Sequence, residues 1–342
     1  MSTTTMRAFV ILGPRRAEVR DVEVPVPRPG EVVVDVERVG VCGTDVEFWT
    51  GEMAYLATGE AAYPIRIGHE WSGTVGAVGA GVDRAWLGRR VTGDTMLGCG
   101  LCARCRSGRQ HLCADRFEVG IRRGWPGALA EKLPIPARFL RELPPGIDVT
   151  AGALAEPAGN AWRAVQAASV ARGERLLVIG PGTIGLLAAL IAAAGGADVH
   201  LLGRGERSIA FARSLGFEPV WSADRPPDGL FDAVIDASTD PGSPARAVEL
   251  AEPGRRVVLI GISGGPSLID SRQLALKDLT TVGILSASPG LDGAIDLFAS
   301  GRVDPRPIVA GVAGLDDVAG VLDGRRDTGW GAGPKIHVDP RR

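Results

Sequence analysis

The chain has 342 residues, 45% of them hydrophobic, with 38 Lys and Arg against 40 Asp and Glu. This length exceeds what one hydrophobic core usually organises, so we expect two domains. The near-neutral charge, spread along the chain, excludes nucleic acid as an expected partner. With no signal-peptide pattern at its start and no apolar stretch long enough for a bilayer, we expect a cytoplasmic protein with no membrane partner.

The first part of the chain reads as a β-rich domain, residues 1–150. Alternating apolar residues bounded by Gly and Pro predict short strands over Arg7–Leu12, Glu31–Val39 and Gly73–Val78. Between these strands stand two short polar segments, Gly-Val-Cys-Gly-Thr-Asp around Cys42 and Gly-His-Glu around His69. Neither segment is diagnostic alone, because single Cys and His residues are mostly structural.

A cysteine cluster follows in the same domain. Its four members have the spacing C-x2-C-x2-C-x7-C and are Cys99, Cys102, Cys105 and Cys113. In a large chain with no export pattern such spacing favours a metal over disulfides. Four thiolates leave no position open, so we predict a structural zinc; a redox or iron–sulfur role is the alternative.

After Pro144-Pro145-Gly146 the sequence pattern changes from short predicted strands to alternating helices and strands. A long Ala-rich helix is predicted over Ala151–Ala171, and β-type runs then alternate with helical segments. The runs are Arg175–Ile179, Asp198–Leu202, Ala233–Asp236 and Arg256–Ile260. This alternation is typical of a parallel sheet in a βαβ domain, residues 151–289. The tail, 290–342, has a helix-like run over Leu291–Ser300 and a last strand near Lys335–Val338, and is expected to complete the first domain.

A glycine-rich turn joins the first strand of this second domain to its first helix. It fits G-x-G-x-x-G and consists of Gly180, Pro181, Gly182, Thr183, Ile184 and Gly185. The glycines allow a tight turn, a close approach to a pyrophosphate and close helix packing, so we predict a dinucleotide site. The second strand ends in Gly203-Arg204 rather than an acidic residue, so NADP(H) is favoured over NAD(H) through Arg204, with Arg207 as a further contact. Two solvated arginines are the alternative.

Taken together, the Cys42 and His69 segments, the cysteine cluster and the glycine turn resemble the zinc-containing medium-chain alcohol dehydrogenase family. The resemblance covers nearly the whole chain and implies a GroES-like catalytic domain followed by a Rossmann domain with a doubly wound parallel sheet. It also implies that Cys42 and His69 bind a catalytic zinc, giving two zinc ions per chain, and that Asp45 orients the imidazole of His69.

The expected third ligand of the catalytic zinc differs from that of the classical alcohol dehydrogenases, which is another cysteine. No cysteine remains here, and the chain instead looks like the polyol and sugar dehydrogenase branch, in which a Glu-Pro pair supplies a carboxylate. Glu156, before Pro157, fits that pair; Glu70 is the other candidate, as an exchanging ligand or a neighbour of the site. The resemblance also implies that Thr44 accepts the proton of the substrate hydroxyl. Three residues later the family often has a His, whereas this chain has Glu47.

The resemblance further implies the substrate class. The stretch around Glu118 is similar to one in zinc-dependent glucose dehydrogenases, so Glu118 is a candidate substrate contact; an exposed loop carboxylate is the alternative. We expect a dehydrogenase of sugar, polyol or cyclitol hydroxyls, forming a homodimer or homotetramer. The alternatives are a general alcohol dehydrogenase or aldehyde reductase of this fold, and a nucleotide-binding sensor or structural protein without turnover.

Overall fold

The computed structural model describes residues 4–342, so the first three residues of the predicted first domain lie outside it. The chain forms two compact units. One contains the residues up to Glu156 with Val309–Gly331 and Lys335–Arg342, and the other contains Pro157–Ile308 with Ala332–Pro334. The division thus falls at Glu156 rather than at residue 150, and residues 290–308 belong to the second unit.

Between Thr5 and Ala153 the first unit has nine strands and four α-helices. The strands are β1 Thr5–Gly13, β2 Arg16–Glu23, β3 Glu31–Gly40, β4 Glu70–Val78, β5 Arg90–Gly93, β6 Met96–Leu97, β7 Phe117–Glu118, β8 Lys132–Pro136 and β9 Leu140–Glu142. The helices are α1 Gly43–Thr50, α2 Ala54–Ala57, α3 Ala103–Arg106 and α4 Val149–Ala153. Inward-facing residues of β1, β3 and β4 build its core, in which Trp71, Phe48 and Leu129 are among the largest fully buried side chains.

The second unit is a six-stranded parallel sheet with helices. Its strands are β10 Arg175–Ile179, β11 Asp198–Gly203, β12 Val220–Ser222, β13 Phe231–Asp236, β14 Ala251–Leu259 and β15 Thr280–Gly283. The helices are α5 Ala155–Ala168, whose first two residues still belong to the first unit, α6 Thr183–Gly195, α7 Glu206–Ser214, α8 Ser243–Leu250, α9 Ser271–Leu276 and α10 Leu291–Ala299. The strand order is β12-β11-β10-β13-β14-β15. The near-continuous apolar run of β10 is explained by burial on both faces, as parallel sheets require.

The chain then returns to the first unit with β16 Val309–Ala313, α11 Val318–Leu322 and β17 Lys335–Val338. β17 pairs antiparallel with β3, and β3 pairs with β4, in a sheet ordered β16-β17-β3-β4-β5-β9 with β8 also on β3. Gly40 of β3 therefore lies between His337 and Glu70, which brings the last strand beside the Gly-His-Glu segment. Within residues 4–342 no helix is long and apolar enough to cross a membrane.

Candidate active site and nucleotide cavity

Asp45 joins the two polar segments of the first unit. Cys42 precedes α1, and Asp45 in the first turn of that helix accepts a hydrogen bond from the Cys42 amide at 2.9 Å. Its other carboxylate oxygen accepts from the Gly68 amide at 3.1 Å, next to His69. Asp45 is fully buried, so these bonds fix the backbone that carries both side chains. Burial raises the pKa of Asp45, although His69 and the Cys42 amide oppose the shift.

His69 is buried among negative groups. Its Nδ1 lies 3.7 Å from Asp45 Oδ1, which leaves Nε2 on the opposite side of the ring for a metal. Burial lowers the pKa of His69, but Asp45, Cys42 and Glu156 together raise it by more, so the pKa lies well above its usual range. The same negative charges would stabilise a metal cation at this position, and the residues therefore fit a zinc ion.

Glu70 belongs to the same cluster, because Cys42, His69 and Glu70 offer ligand atoms within 4.8 Å of one another. However, Lys335 of β17 donates to both oxygens of Glu70, at 2.8 and 2.7 Å, and to the Val41 carbonyl at 2.9 Å. Both side chains are buried. Lys335 neutralises the carboxylate and competes with a metal for it. Sequence reasoning missed Lys335, since only the pairing of β17 with β3 shows its partner.

Glu156 and Thr44 are also positioned in the first unit. Glu156 is buried at the start of α5 and contributes to the raised pKa of His69. Thr44 is half-buried in the first turn of α1, directly after Gly43. One turn later, burial and then Glu52 raise the pKa of Glu47, which makes this carboxylate a better proton acceptor than an exposed one.

The four cysteines of the predicted cluster converge. Cys99, Cys102, Cys105 and Cys113 are free thiols whose sulfur atoms lie within 4.8 Å of one another. The amides of Leu101 and Cys102 both donate to the Cys99 sulfur at 3.4 Å, and they lower the pKa of Cys99 to about 6. Backbone donors aimed at sulfur favour the thiolate, the form that binds zinc.

Glu118 does not fit its simpler interpretation, whereas two aromatic residues of α1 pack in the core, as aromatic residues commonly do. Glu118 is buried rather than an exposed loop carboxylate; it accepts from Arg116 Nε at 2.8 Å and from Tyr55 Oη at 3.2 Å. The next amide, of Val119, bonds the Thr95 carbonyl, and the Thr95 hydroxyl in turn bonds the His69 carbonyl at 3.4 Å. Phe48 and Trp49 lie in the hydrophobic core, so they are packing residues.

The glycine turn lines a cavity of about 910 Å³ in the second unit. Gly180 has φ 90°, a left-handed conformation that favours glycine. A side-chain carbon on Gly185 would clash with the Gly180 carbonyl, as expected where helix and strand pack closely. Gly180, Pro181 and Gly182 line the cavity, and α6 begins beside them. Amide N–H groups at this helix end favour an anion, so the residues fit a dinucleotide pyrophosphate.

The two predicted arginines differ in position. Arg204 lines the cavity, whereas Arg207 is absent from its lining among the described residues. Two residues that sequence reasoning missed also line it, Arg246 of α8 and Asp240 of the loop before α8. Asp240 forms an ion pair with Arg204. No local sequence pattern marks this pair, because β11 and the loop after β13 are distant in the chain.

Comparison with known proteins gives matches along most of the chain. Residues 28–145 match the alcohol dehydrogenase GroES-like domain, and residues 183–300 match the zinc-binding dehydrogenase family. A 2-dehydro-3-deoxy-L-galactonate 5-dehydrogenase of Pseudoalteromonas atlantica is 32% identical, over 85% of this chain and 87% of that one. An L-threonine 3-dehydrogenase of Deinococcus deserti is 33% identical, over 87% of this chain and 89% of that one.

Solved structures agree with this fold. An Escherichia coli alcohol dehydrogenase complexed with NADH has a TM-score of 0.89 and 25% identity, covering 98% of this chain and 99% of that one. A zinc-binding dehydrogenase of Sinorhizobium meliloti bound to NADP has a TM-score of 0.89 and 27% identity, covering 98% and 100%. A galactitol-1-phosphate dehydrogenase of Escherichia coli has a TM-score of 0.86 and 25% identity, covering 98% and 100%. The predicted fold class is confirmed.

Proposed function

The chain belongs to the zinc-containing medium-chain alcohol dehydrogenase family, and on that premise we propose that it transfers a hydride between a secondary hydroxyl of a small sugar, polyol or cyclitol and NAD(P). The observation that carries the proposal is the convergence of Cys42, His69 and the buried Glu70 in the first unit. Glu156 is not part of that group, but it is buried and close enough to His69 to raise the pKa of the imidazole. A sensor or structural protein needs the nucleotide cavity but no such open metal site.

We propose that Cys42, His69 and Glu156 hold the catalytic zinc. The pairing of Glu70 with Lys335 supports Glu156 as the third ligand, since a metal at Glu70 would compete with a buried ammonium group. Glu70 then stays beside the metal and balances the charge of Lys335. Asp45 fixes the positions of Cys42 and His69 through its two backbone bonds.

Zinc bound in this site would supply a Lewis acid that lowers the pKa of the substrate hydroxyl, and a bound oxidised nicotinamide would supply the hydride acceptor. The protein provides the positions and the proton path. The half-buried Thr44 hydroxyl would accept the substrate proton while it passes its own proton on, and Glu47 of the same helix, with its raised pKa, is the proposed acceptor of that proton. A carboxylate thus replaces the histidine that the family often has at this point.

A second zinc is proposed at the four cysteines. The converging thiols and the amide donors on the Cys99 sulfur support it, and four protein ligands make it structural rather than catalytic. Free thiols in this arrangement also fit a reducing compartment, and we place the protein in the cytoplasm.

We propose that NADP(H) is favoured over NAD(H). Arg204 lines the cavity at the end of β11, where an NAD site would carry a carboxylate for the ribose hydroxyls. Arg246 also lines the cavity, although its guanidinium pairs with Glu249. A guanidinium can pair with the 2′-phosphate of NADP, which supports the preference.

We further propose a homodimer formed through the second unit. β15 is the last strand of its sheet and is largely exposed, so its outer backbone groups can pair with another strand. Exposed apolar side chains occur in the same part of the chain, between residues 262 and 285: Ile262, Leu268, Leu276 and Leu285. A second copy related by two-fold symmetry would cover both the strand edge and these side chains.

The proposed dimer can be tested with a variant that places negative charges on its interface. Leu268→Glu combined with Leu276→Glu places carboxylates at the covered face, so sedimentation velocity should shift from dimer to monomer. The matched control is Val26→Glu, which changes an exposed apolar residue of the first unit. A wild-type monomer, or a double variant that sediments like the wild type, would contradict the assignment.

A substrate screen tests the proposed reaction. Purified protein loaded with zinc is assayed with NADPH and NADH on ketoses, aldoses, keto sugar acids and simple aldehydes, and in the reverse direction on polyols and L-threonine. We expect the highest kcat/KM with a polyhydroxylated compound. A preference for simple aldehydes would favour a general reductase, and no turnover with any compound would favour the nucleotide-binding sensor.

A further inference from the structure

The nucleotide cavity contains a carboxylate beside its main cation. Arg204 follows β11, Asp240 lies in the loop between β13 and α8, and the two form an ion pair. Both residues line the cavity that holds the glycine turn. The cation expected to bind a 2′-phosphate therefore already has an anionic partner within the same cavity.

Asp240 is the better fixed member of this pair. Its Oδ1 accepts from the Gly242 amide at 2.8 Å, and its own amide donates to the Ser238 hydroxyl at 3.1 Å. Its carbonyl accepts from the Ser243 amide at 3.1 Å. The Asp240 side chain is 26% exposed, against 70% for Arg204. The backbone thus sets the place of the carboxylate, and the longer, more exposed arginine reaches toward it.

The rest of the lining does not cancel this carboxylate. Arg246 also lines the cavity, but its guanidinium pairs with Glu249 at 2.9 Å on α8. The Ser208 hydroxyl, another lining group, donates to the Gly205 carbonyl at 2.8 Å. A phosphate placed near Arg204 would therefore meet the negative charge of Asp240 at short range.

We propose that Asp240 sets the cofactor specificity of the cavity by restraining Arg204 and opposing a 2′-phosphate. This inference rests on the proposed function, in that the cavity must bind an NAD(P) adenosine. Binding of NADP(H) requires Arg204 to leave Asp240 and brings the 2′-phosphate close to the Asp240 carboxylate, which repels it. NAD(H) has no 2′-phosphate and avoids both unfavourable interactions. The chain then discriminates between the two cofactors less than Arg204 alone would allow.

Asp240→Asn is the informative variant, since the amide oxygen can still accept from the Gly242 amide and preserve the loop. The probes are 2′,5′-ADP and 5′-AMP, which differ only in the 2′-phosphate, and their Kd values are measured by calorimetry without turnover. We expect D240N to bind 2′,5′-ADP about tenfold tighter, with 5′-AMP changed by less than about twofold. Asp296→Asn, which removes an exposed charge of α10 in the same unit, should change neither Kd.

The outcomes separate this inference from the proposed function. An unchanged Kd of D240N for 2′,5′-ADP, or equal changes for both probes, overturns the role of Asp240 while leaving the cavity as a nucleotide site. Binding of neither probe by the wild type and its variants overturns the nucleotide assignment, and this inference with it. In an Arg204→Ala background, D240N should keep only the smaller part of the gain that comes from lost repulsion; a full tenfold gain over Arg204→Ala would contradict the proposed restraint of Arg204.

Discussion

Cys42→Ala is expected to reduce kcat/KM by about 10³-fold or more and to remove one of the two proposed zinc ions. A Lewis acid contributes several kcal/mol to such a reaction, and each 1.36 kcal/mol is a factor of ten in rate. The variant loses the only cysteine of the catalytic group and leaves His69 with carboxylates that bind zinc less strongly. Metal analysis by mass spectrometry and steady-state kinetics give the two readouts.

Cys105→Ser is the matched control, since it removes a thiolate from the other cluster. We expect this variant also to lose one zinc, but to lose thermal stability rather than turnover per folded molecule. Together the two variants assign each ion to its site. Full activity of Cys42→Ala with one zinc per chain would reject the catalytic assignment of Cys42.

Lys335→Met should lower the free energy of unfolding by about 3–5 kcal/mol. The substitution removes the ammonium group but leaves the Glu70 carboxylate buried, and an unpaired buried charge is strongly destabilising. The Val41 carbonyl also loses its donor. Denaturant unfolding of variant and wild type, each freed of metal, measures the loss without a contribution from zinc.

Two further variants make this prediction specific. Lys132→Met breaks the ion pair of Lys132 with Asp35, whose side chains are 35% and 43% exposed, so it should cost less than about 1 kcal/mol. Adding Glu70→Gln to Lys335→Met removes the buried carboxylate charge that has lost its partner, and it should recover part of the stability. Equal losses for Lys132→Met and Lys335→Met would contradict the account of the buried pair.

The fold could be predicted where the pattern is local. The parallel strand Arg175–Ile179 has the same bounds in the structure, because burial on both faces requires a continuous apolar run. The Ala-rich helix was predicted as one element but is two, α4 and α5, with a turn at Leu154. High helix propensity on both sides hides that break, and only packing of α4 against β3 and β4 fixes it.

The candidate site likewise contains residues that could be predicted from local sequence and residues that could not. The four-cysteine spacing is local and could be read from the sequence, whereas Cys42 and His69 needed the family resemblance to be joined. Lys335 and Asp240 could not be predicted, since the partner of each comes from a distant strand or loop. Charged residues of this kind look like ordinary surface groups until tertiary pairing buries or couples them.

The central claim is hydride transfer at a zinc site, and transfer of deuterium tests it most directly. NADPH and NADH carrying two deuterium atoms at nicotinamide C4 are incubated with the best carbonyl compound of the screen, and the product is analysed by mass spectrometry. We predict one deuterium on the new carbinol carbon, and none after a chelator has removed the zinc. Cofactor binding without any label in the product would contradict the assignment as a dehydrogenase.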